Sequence, residues 1–201
     1  LKKGTQKEGA DDWQWGAPES PIASGDPQKA FSGKSVLGND LGFGNFNGTY
    51  QPDKTNFVKS PTVDVTGYTH VRLQYRRWLT IEDGHFDRAR LYANGQVVWE
   101  NVDSNMGDNS KTDHVDREWR FADVDLFEQA KAGTINIEIE LESDGGQELG
   151  GWTIDDFCLV GYVQTVCGDG KITGAEQCDD GALNSDEDKD ACRGNCTQAS
   201  C

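Results

Sequence analysis

The sequence predicts an all-β protein, an antiparallel jelly-roll-like β-sandwich followed by a small disulfide-rich module. Two observations predict this fold class. From Trp13 to about Gly161, short runs of alternating apolar and polar residues are separated by turn residues, a pattern typical of strands with one solvated face. All six cysteines lie in the last part of the chain, from Cys158 onward. We therefore place the sandwich at residues 1–162 and the cysteine-rich module at residues 163–201.

Three segments carry the clearest strand patterns. HVRLQYRRWL, ARLYANGQVVWE and TINIEIELES alternate apolar with polar residues and are rich in β-branched and aromatic side chains. Asn94-Gly95 in the second segment predicts a two-residue hairpin turn. The only helix-like segment is ADVDLFEQAKAG, which ends at Gly133. Because it is so short, we expect a turn there rather than a long helix.

The cysteines indicate a module held together by disulfides. The tail has few apolar residues, so covalent crosslinks would replace a core. Six thiols allow 15 pairings, and the sequence does not select one. A zinc site that uses Cys192 and Cys196 is disfavoured, since paired C-x2-C spacing is absent. Disulfides predict an oxidising compartment, and hence a secreted or cell-surface protein. The predicted disulfide residues are Cys158, Cys167, Cys178, Cys192, Cys196 and Cys201.

The charge of the chain limits the classes of partner that it can bind. Its formal net charge is -16 at pH 7, which disfavours binding to nucleic acids and to anionic membranes and favours divalent cations. No apolar run approaches the roughly 20 residues of a membrane span. The opening LKKGTQKEGADD lacks the apolar region of a signal peptide. We therefore expect the chain to be a mature or excised piece of a longer precursor.

The tail segment CGDGKITGAEQCDD contains half of a calcium loop. From Asp169 onward, D-G-K-I-T-G-A-E matches the back half of an EF-hand, with the Lys171 carbonyl and Glu176 at ligand positions. Thr165 and Cys167 stand where the first two carboxylates belong. The chain, folded back by disulfides, could bring further ligands to that position; they are Asp179, Asp180 and Asn184. The alternative is a metal-free knot with solvated charges.

GGWTIDDFCLVGY resembles the final strand of MAM-like jelly-roll sandwiches. DDWQWGAP, SGKSVLGNDLG and SPTVDVTGYTHVRLQYRRWL fit the same pattern, so the resemblance covers roughly residues 10–162. Related sandwiches follow peptidase domains in secreted bacterial metalloproteases of the immune-inhibitor type. The tail, with CGDG and EQCDDG, resembles the cysteine-rich repeats of myxobacterial surface proteins.

The MAM-like resemblance implies a Ca²⁺ site at Asp155. The acidic residues available upstream to complete it are Glu8, Asp11 and Asp12. The alternative for a buried carboxylate is an ion pair or hydrogen bonds to loop amides, because an unpaired buried charge costs several kcal/mol. The arginines available for that pair are Arg72, Arg76 and Arg77.

Catalytic signatures are missing from the sequence. It has no H-E-x-x-H or G-x-S-x-G, and its three histidines are far apart. We therefore expect no enzyme, but a non-catalytic, calcium-binding interaction or accessory module of a secreted or surface bacterial protein. Its partner would be an extracellular protein or a glycan.

Two alternative functions remain open. One is a structural subunit of an extracellular homopolymeric assembly, in which a neighbouring copy accepts an N-terminal strand. The other is a glycan-binding module that stacks sugars on exposed indole rings. Trp13 and Trp15 lie in a Gly- and Pro-rich entry segment and are the candidates for that role. Trp78, Trp99 and Trp152 lie in strand patterns, where packing is expected.

Overall fold

The structure is a computed structural model, and it describes residues 2–5 (backbone only), 11–21, 24–105, 112–163 and 165–199. It divides into two compact units. The first comprises Leu1–Val65 and Val71–Val160, and the second comprises Thr66–His70 and Gly161–Cys201.

Two antiparallel sheets dominate the structure, as predicted. The five-stranded sheet has the order β1 (Lys2–Thr5), β4 (Thr55–Lys59), β12 (Ile137–Glu142), β7 (Arg88–Ala93), β8 (Gln96–Glu100). The six-stranded sheet has the order β10 (Arg120–Asp125), β6 (His70–Ile81), β13 (Gly151–Tyr162), β3 (Val36–Asn39), β2 (Trp13–Gly16), with β9 (His114–Val115) also paired to β6. A two-stranded sheet joins β11 (Thr134–Ile135) to β5 (Val63–Asp64). The all-β prediction is confirmed.

The strand alternation seen in the sequence produces the core. In β6 the buried positions Val71, Leu73 and Tyr75 alternate with half-buried polar ones. Strand β12 contributes Ile139 and Leu141 to the same core cluster. Because successive side chains of a strand point to opposite faces, each of these segments supplies one apolar face. Complete burial of one such side chain stabilises the fold by about 1.5–3 kcal/mol.

The predicted hairpin at Asn94-Gly95 is confirmed. The two residues connect β7 to β8, and both have positive φ, 50° and 78°. Positive φ at both central positions is what a type I′ turn requires. The Asn94 side chain also accepts a hydrogen bond from the Asn136 backbone N–H at 3.0 Å and donates to the Thr134 carbonyl at 2.8 Å. These bonds tie the hairpin to the segment that leads into β12.

The helix-like segment is mostly not helical. Its first residues belong to β10, and only α1 (Phe127–Ala130) forms one helical turn. Gly133 follows with φ of 74° and its N–H donates to the Ala130 carbonyl at 2.9 Å. The expected short turn is therefore confirmed. No described helix is long and apolar enough to cross a membrane.

Disulfides staple the second unit, whose regular structure includes a single 3-10 turn at Gly181–Leu183. Among the described residues the bonds are Cys167–Cys196 and Cys178–Cys192. Cys158, exposed on β13, forms no disulfide with any cysteine that the structure describes, which differs from the prediction within that part of the chain. Cys201, the sixth predicted disulfide residue, lies outside the described residues.

Candidate functional site

Trp13 and Trp15 share one face of β2 but have opposite environments. Trp13 is 1% exposed and belongs to the core cluster, so its predicted role in sugar stacking is wrong. Trp15, two residues further on, is 69% exposed. It pairs with Leu37 in register, on the edge strand of the six-stranded sheet. Trp15 does not belong to the core cluster that contains Trp13.

A cleft of about 470 Å³ lies beside Trp15. We call it the Trp15 cleft, and it is lined by Trp15, Leu37, Ser60, Pro61, Ile139, Ile154, Asp155, Asp156 and Phe157. Leu37, Ile139 and Ile154 are buried and form an apolar floor. Phe157 presents a second, partly exposed aromatic ring. An apolar cleft of this size with a few polar groups is typical of small-ligand sites.

The polar side of the Trp15 cleft is formed by two adjacent carboxylates. Asp155 accepts hydrogen bonds from the backbone N–H groups of Ser32 and Asp156, at 2.9 and 2.8 Å. The Ser32 hydroxyl donates to Asp156 Oδ1 at 2.5 Å. Asp156 has φ of 48°, a left-handed conformation that Asp tolerates better than most residues. Its Oδ2 accepts no hydrogen bond from the described residues and is free to accept one from a ligand.

The structure does not bring Asp155 together with Asp11 and Asp12, the upstream acidic residues that it describes. Ile154 pairs with Leu37, whereas the Asp12 carbonyl accepts the N–H of Asp40 at the other end of β3. At about 3.3 Å per residue, roughly 13 Å of strand separates the level of Asp155 from the level of Asp12 along β3. A shared calcium site at Asp155 and Asp12 is therefore wrong in this fold.

The upstream acids have other environments. Asp12 is buried and accepts hydrogen bonds from Asn39 Nδ2 at 3.0 Å and from the Gln51 N–H at 3.3 Å. Its burial raises its pKa to about 6. Asp11 is exposed, and its N–H donates to Gln51 Oε1 at 3.4 Å. Glu8 lies outside the described side chains.

The ion-pair alternative for Asp155 does not form either. Arg72 contacts Asp123 at 2.8 Å, and Arg77 contacts Asp116 at 3.0 Å. The Arg76 guanidinium lies over the Phe31 ring, 4.2 Å from its centroid. The backbone N–H of Ser32 bonds to Asp155 instead, which is the other predicted alternative, a hydrogen bond to a loop amide.

Three other carboxylates converge in the first unit. Oxygen atoms of Glu82, Asp87 and Asp144 lie within 4.8 Å of one another, and the first two residues are buried. The Tyr50 hydroxyl donates to Asp87 Oδ2 at 2.5 Å. Burial raises the pKa of Asp87 to about 6. This group can present oxygen ligands to a hard cation such as Ca²⁺.

Most of the tail residues predicted to bind calcium accept hydrogen bonds from backbone N–H groups through their carboxylates. Asp179 Oδ2 accepts the N–H groups of Gly168, Asp169 and Gly170, each at 3.1 Å. Desolvation acts to raise the pKa of Asp179, but hydrogen bonds from the N–H groups of Gly181, Gly168 and Gly170 and from the Asn184 side chain hold it below its usual value. Asp169 Oδ1 accepts the Lys171 N–H at 2.8 Å.

The remaining tail residues are partly brought together. Glu176 accepts the Thr173 N–H at 2.7 Å and lies within 4.8 Å of Asp179 and of the disulfide-bonded Cys196 sulfur. Asp180 accepts the Cys192 N–H at 2.8 Å, and its own N–H donates to Asn184 Oδ1 at 2.8 Å. Calcium binding by the tail stays a prediction.

A second aromatic site was missed by sequence reasoning. We call it the Trp119 groove, a cleft of about 500 Å³ lined by Gly25, Asp26, Pro27, Gln28, Lys29, Trp78, Val115, Asp116, Arg117 and Trp119. Trp78 was assigned to packing because it lies in a strand. The sequence did contain a signal for this site. Strand alternation in β6 places Trp78 on the same face as the polar residues Arg72, Gln74 and Arg76. An indole on the polar face of a strand is accessible.

Comparisons with known proteins give weak likenesses only. No protein-family model matches the chain, and neither does any curated protein. Among solved structures, the chain is similar to TmCBM61 in complex with beta-1,4-galactotriose, with 13% identity, a TM-score of 0.45, and coverage of 80% of this chain and 88% of that chain. It is also similar to a carbohydrate-binding module of the β-sandwich superfamily described as promiscuous in specificity, with 12% identity, a TM-score of 0.42, and coverage of 79% and 56%.

A third likeness is to the tandem CBM51 modules of Sp3GH98, the family 98 glycoside hydrolase from Streptococcus pneumoniae SP3-BS71. It has 11% identity, a TM-score of 0.34, and coverage of 84% of this chain and 51% of that chain. Likenesses of this strength carry no argument about ligands. The function has to be argued from the chain's own residues.

Proposed function

We propose that this protein is a non-catalytic glycan-binding module of an extracellular protein, and that the Trp15 cleft holds the sugar. The exposed Trp15 carries the proposal. A 69% exposed indole beside an apolar floor offers one continuous apolar surface, and a ligand that covers it removes this surface from water. The apolar face of a pyranose ring matches an indole face, while its hydroxyl groups need hydrogen-bond acceptors nearby.

The polar groups of the cleft suit a neutral sugar. Asp156 Oδ2 lies at the cleft with no donor of its own among the described residues. A carboxylate oxygen accepts strong hydrogen bonds from hydroxyl groups. Ser32 holds Asp155 and Asp156 in place from a neighbouring segment, so the acceptor is fixed before the ligand arrives. Preorganisation of this kind lowers the entropic cost of binding.

The arrangement favours binding over hydrolysis. Most glycosidases need two carboxyl groups on either side of the scissile bond, one of them available as an acid. In the Trp15 cleft both oxygens of Asp155 already accept backbone N–H groups. Only Asp156 has a free oxygen, and one acceptor orients a sugar without cleaving it.

A glycan array followed by titration calorimetry tests the proposal. We expect wild-type protein to bind a neutral oligosaccharide. Trp15→Ala should weaken that binding at least about tenfold, because it removes the stacking surface, and Trp15→Phe should retain part of it. Asp156→Asn keeps the tolerated backbone conformation but removes the charge, and should weaken binding about fivefold.

Phe127→Ala is the matched control, since Phe127 is an exposed aromatic residue on α1, away from the residues that line the cleft. It should bind like wild type. The proposal is wrong if no neutral glycan binds, or if Trp15→Ala and Phe127→Ala have equal affinity for it.

A further inference from the structure

The Trp119 groove presents two rigidly held indole rings. Trp78 and Trp119 meet edge to face with ring centroids 5.9 Å apart. Trp78 Nε1 donates to the Gly25 carbonyl at 2.7 Å, and Trp119 Nε1 donates to the Lys29 carbonyl at 3.3 Å. Because both indole N–H groups are used inside the protein, the rings are fixed and their remaining surface is apolar. The apolar face of a ligand ring can pack there without first ordering the site.

The charged groups around this groove leave a local positive excess. Asp116 is neutralised by Arg77, which donates two hydrogen bonds to it at 3.0 and 3.3 Å. Lys29 and Arg117 line the groove and have no carboxylate partner among the described residues. The whole chain has 35 acidic and 19 basic residues, so two unpaired cations beside a pair of indoles stand out against the overall charge.

Asp26 does not cancel that excess at neutral pH. It is 4% exposed, and its Oδ1 has no hydrogen-bond partner among the described residues. Burial raises its pKa to about 8, so the carboxyl group is mostly protonated at pH 7. The Lys29 and Arg117 charges are therefore the ones that a ligand at this groove meets.

We propose that the Trp119 groove binds a hexuronate ring of an acidic polysaccharide, with the ring on Trp119 and Trp78 and its carboxylate between Lys29 and Arg117. This site is separate from the Trp15 cleft and deepens the proposed function by naming an anionic class of glycan. An aromatic floor with cationic groups at its rim matches a sugar that is apolar on one face and charged at one substituent. An acidic peptide has no pyranose ring to lay on the indoles, and the net charge of -16 disfavours a nucleic acid.

Calorimetry with oligogalacturonate in calcium-free buffer tests this inference. We expect the Lys29→Gln/Arg117→Gln double variant to bind at least about tenfold more weakly than wild type. Binding of the methyl-esterified oligomer, which is uncharged, should be weak in both proteins. Raising the salt concentration from about 50 mM to about 500 mM should weaken wild-type binding, because ion pairs at a surface are screened.

Lys131→Gln/Lys189→Gln removes the same charge elsewhere, at exposed side chains outside the groove, and should bind oligogalacturonate like wild type. Both double variants change exposed side chains, so both should fold. Equal affinity of wild type and the groove variant, or an equal loss in the two double variants, would overturn the inference. So would binding of the methyl ester as tightly as the free acid.

The two glycan proposals fail separately. If neutral glycans bind through Trp15 but oligogalacturonate does not bind, the groove proposal alone is wrong. If oligogalacturonate binding depends on Lys29 and Arg117 while no neutral glycan depends on Trp15, the Trp15 cleft proposal is wrong and the groove proposal stands.

Discussion

In this structure, burial by the surrounding fold decides the role of individual residues. Trp13 and Trp15 have the same residue type and the same strand face, yet one is core and the other surface. Their positions in the sequence do not differ in pattern. The difference depends on the tertiary packing around β2, which places Trp13 in the core cluster and leaves Trp15 outside it. The local sequence WQW therefore predicts two sugar-stacking tryptophans, and the prediction for Trp13 is wrong.

Asp26 should make stability depend on pH. Its pKa is 3.8 as a free residue and about 8 in the folded protein because burial disfavours the charged form. The folded state therefore holds a proton that the unfolded state has lost between these pH values. This contribution to stability is fully present below pH 3.8 and is lost as the pH rises through 8. The maximal slope is about 1.4 kcal/mol per pH unit.

We expect the free energy of unfolding, measured by urea denaturation, to fall as the pH rises from about 5 to about 8. Asp26→Asn mimics the protonated acid and should flatten much of that slope. Asp190→Asn, an exposed control in the tail, should leave it unchanged. A slope that is the same in wild type and Asp26→Asn would contradict the buried, protonated Asp26.

At the scale of elements, the local patterns were good predictors. Strands β6, β7 and β12 follow from two-residue periodicity, and the hairpin follows from Asn94-Gly95. The pairing of β13 with β3 was not readable from local pattern. That pairing moves Asp155 away from Asp12, which is why a ligand set taken from a resemblance did not assemble. Cys158 was grouped with the tail cysteines because it is close to them in sequence, although the predicted final strand contains it.

The β7–β8 hairpin should depend on glycine for conformational reasons alone. Gly95 has φ of 78°, and a Cβ placed there would meet no atom within 4 Å. Gly95→Ala should therefore destabilise the protein by about 1–2 kcal/mol through left-handed strain. Gly146→Ala, where φ is not positive and the nearest atom is at 3.8 Å, is the control and should change stability little. Equal effects in thermal melts would contradict the type I′ assignment.

At the scale of the whole molecule, the excess of acidic over basic residues favours the binding of divalent cations, and calcium binding is the prediction that follows from it. Glu82, Asp87 and Asp144 are the described carboxylates that converge in the first unit. We expect Ca²⁺ to raise the melting temperature, with about 2.7 kcal/mol of stabilisation at a hundredfold excess over Kd. Asp144→Asn should reduce the effect, whereas Asp155→Asn should not, since Asp155 bonds to Ser32 instead.

Melts in excess chelator and in excess calcium measure this difference. A melting temperature that is the same in both conditions would remove calcium from the description of this protein. Loss of the calcium effect in Asp155→Asn but not in Asp144→Asn would return the site to the position that the MAM-like resemblance implies.

Sugar binding at Trp15 is tested most directly by the indole N–H signals of the ¹⁵N-labelled protein. The chain has six tryptophans, and Trp15→Phe assigns one of their signals by its disappearance. On titration with a neutral oligosaccharide selected on the array, we predict that the Trp15 signal shifts progressively to saturation. The signals of the buried Trp13 and Trp152 should stay in place. Saturation of the protein by that oligosaccharide with an unmoved Trp15 signal would show that the sugar binds elsewhere.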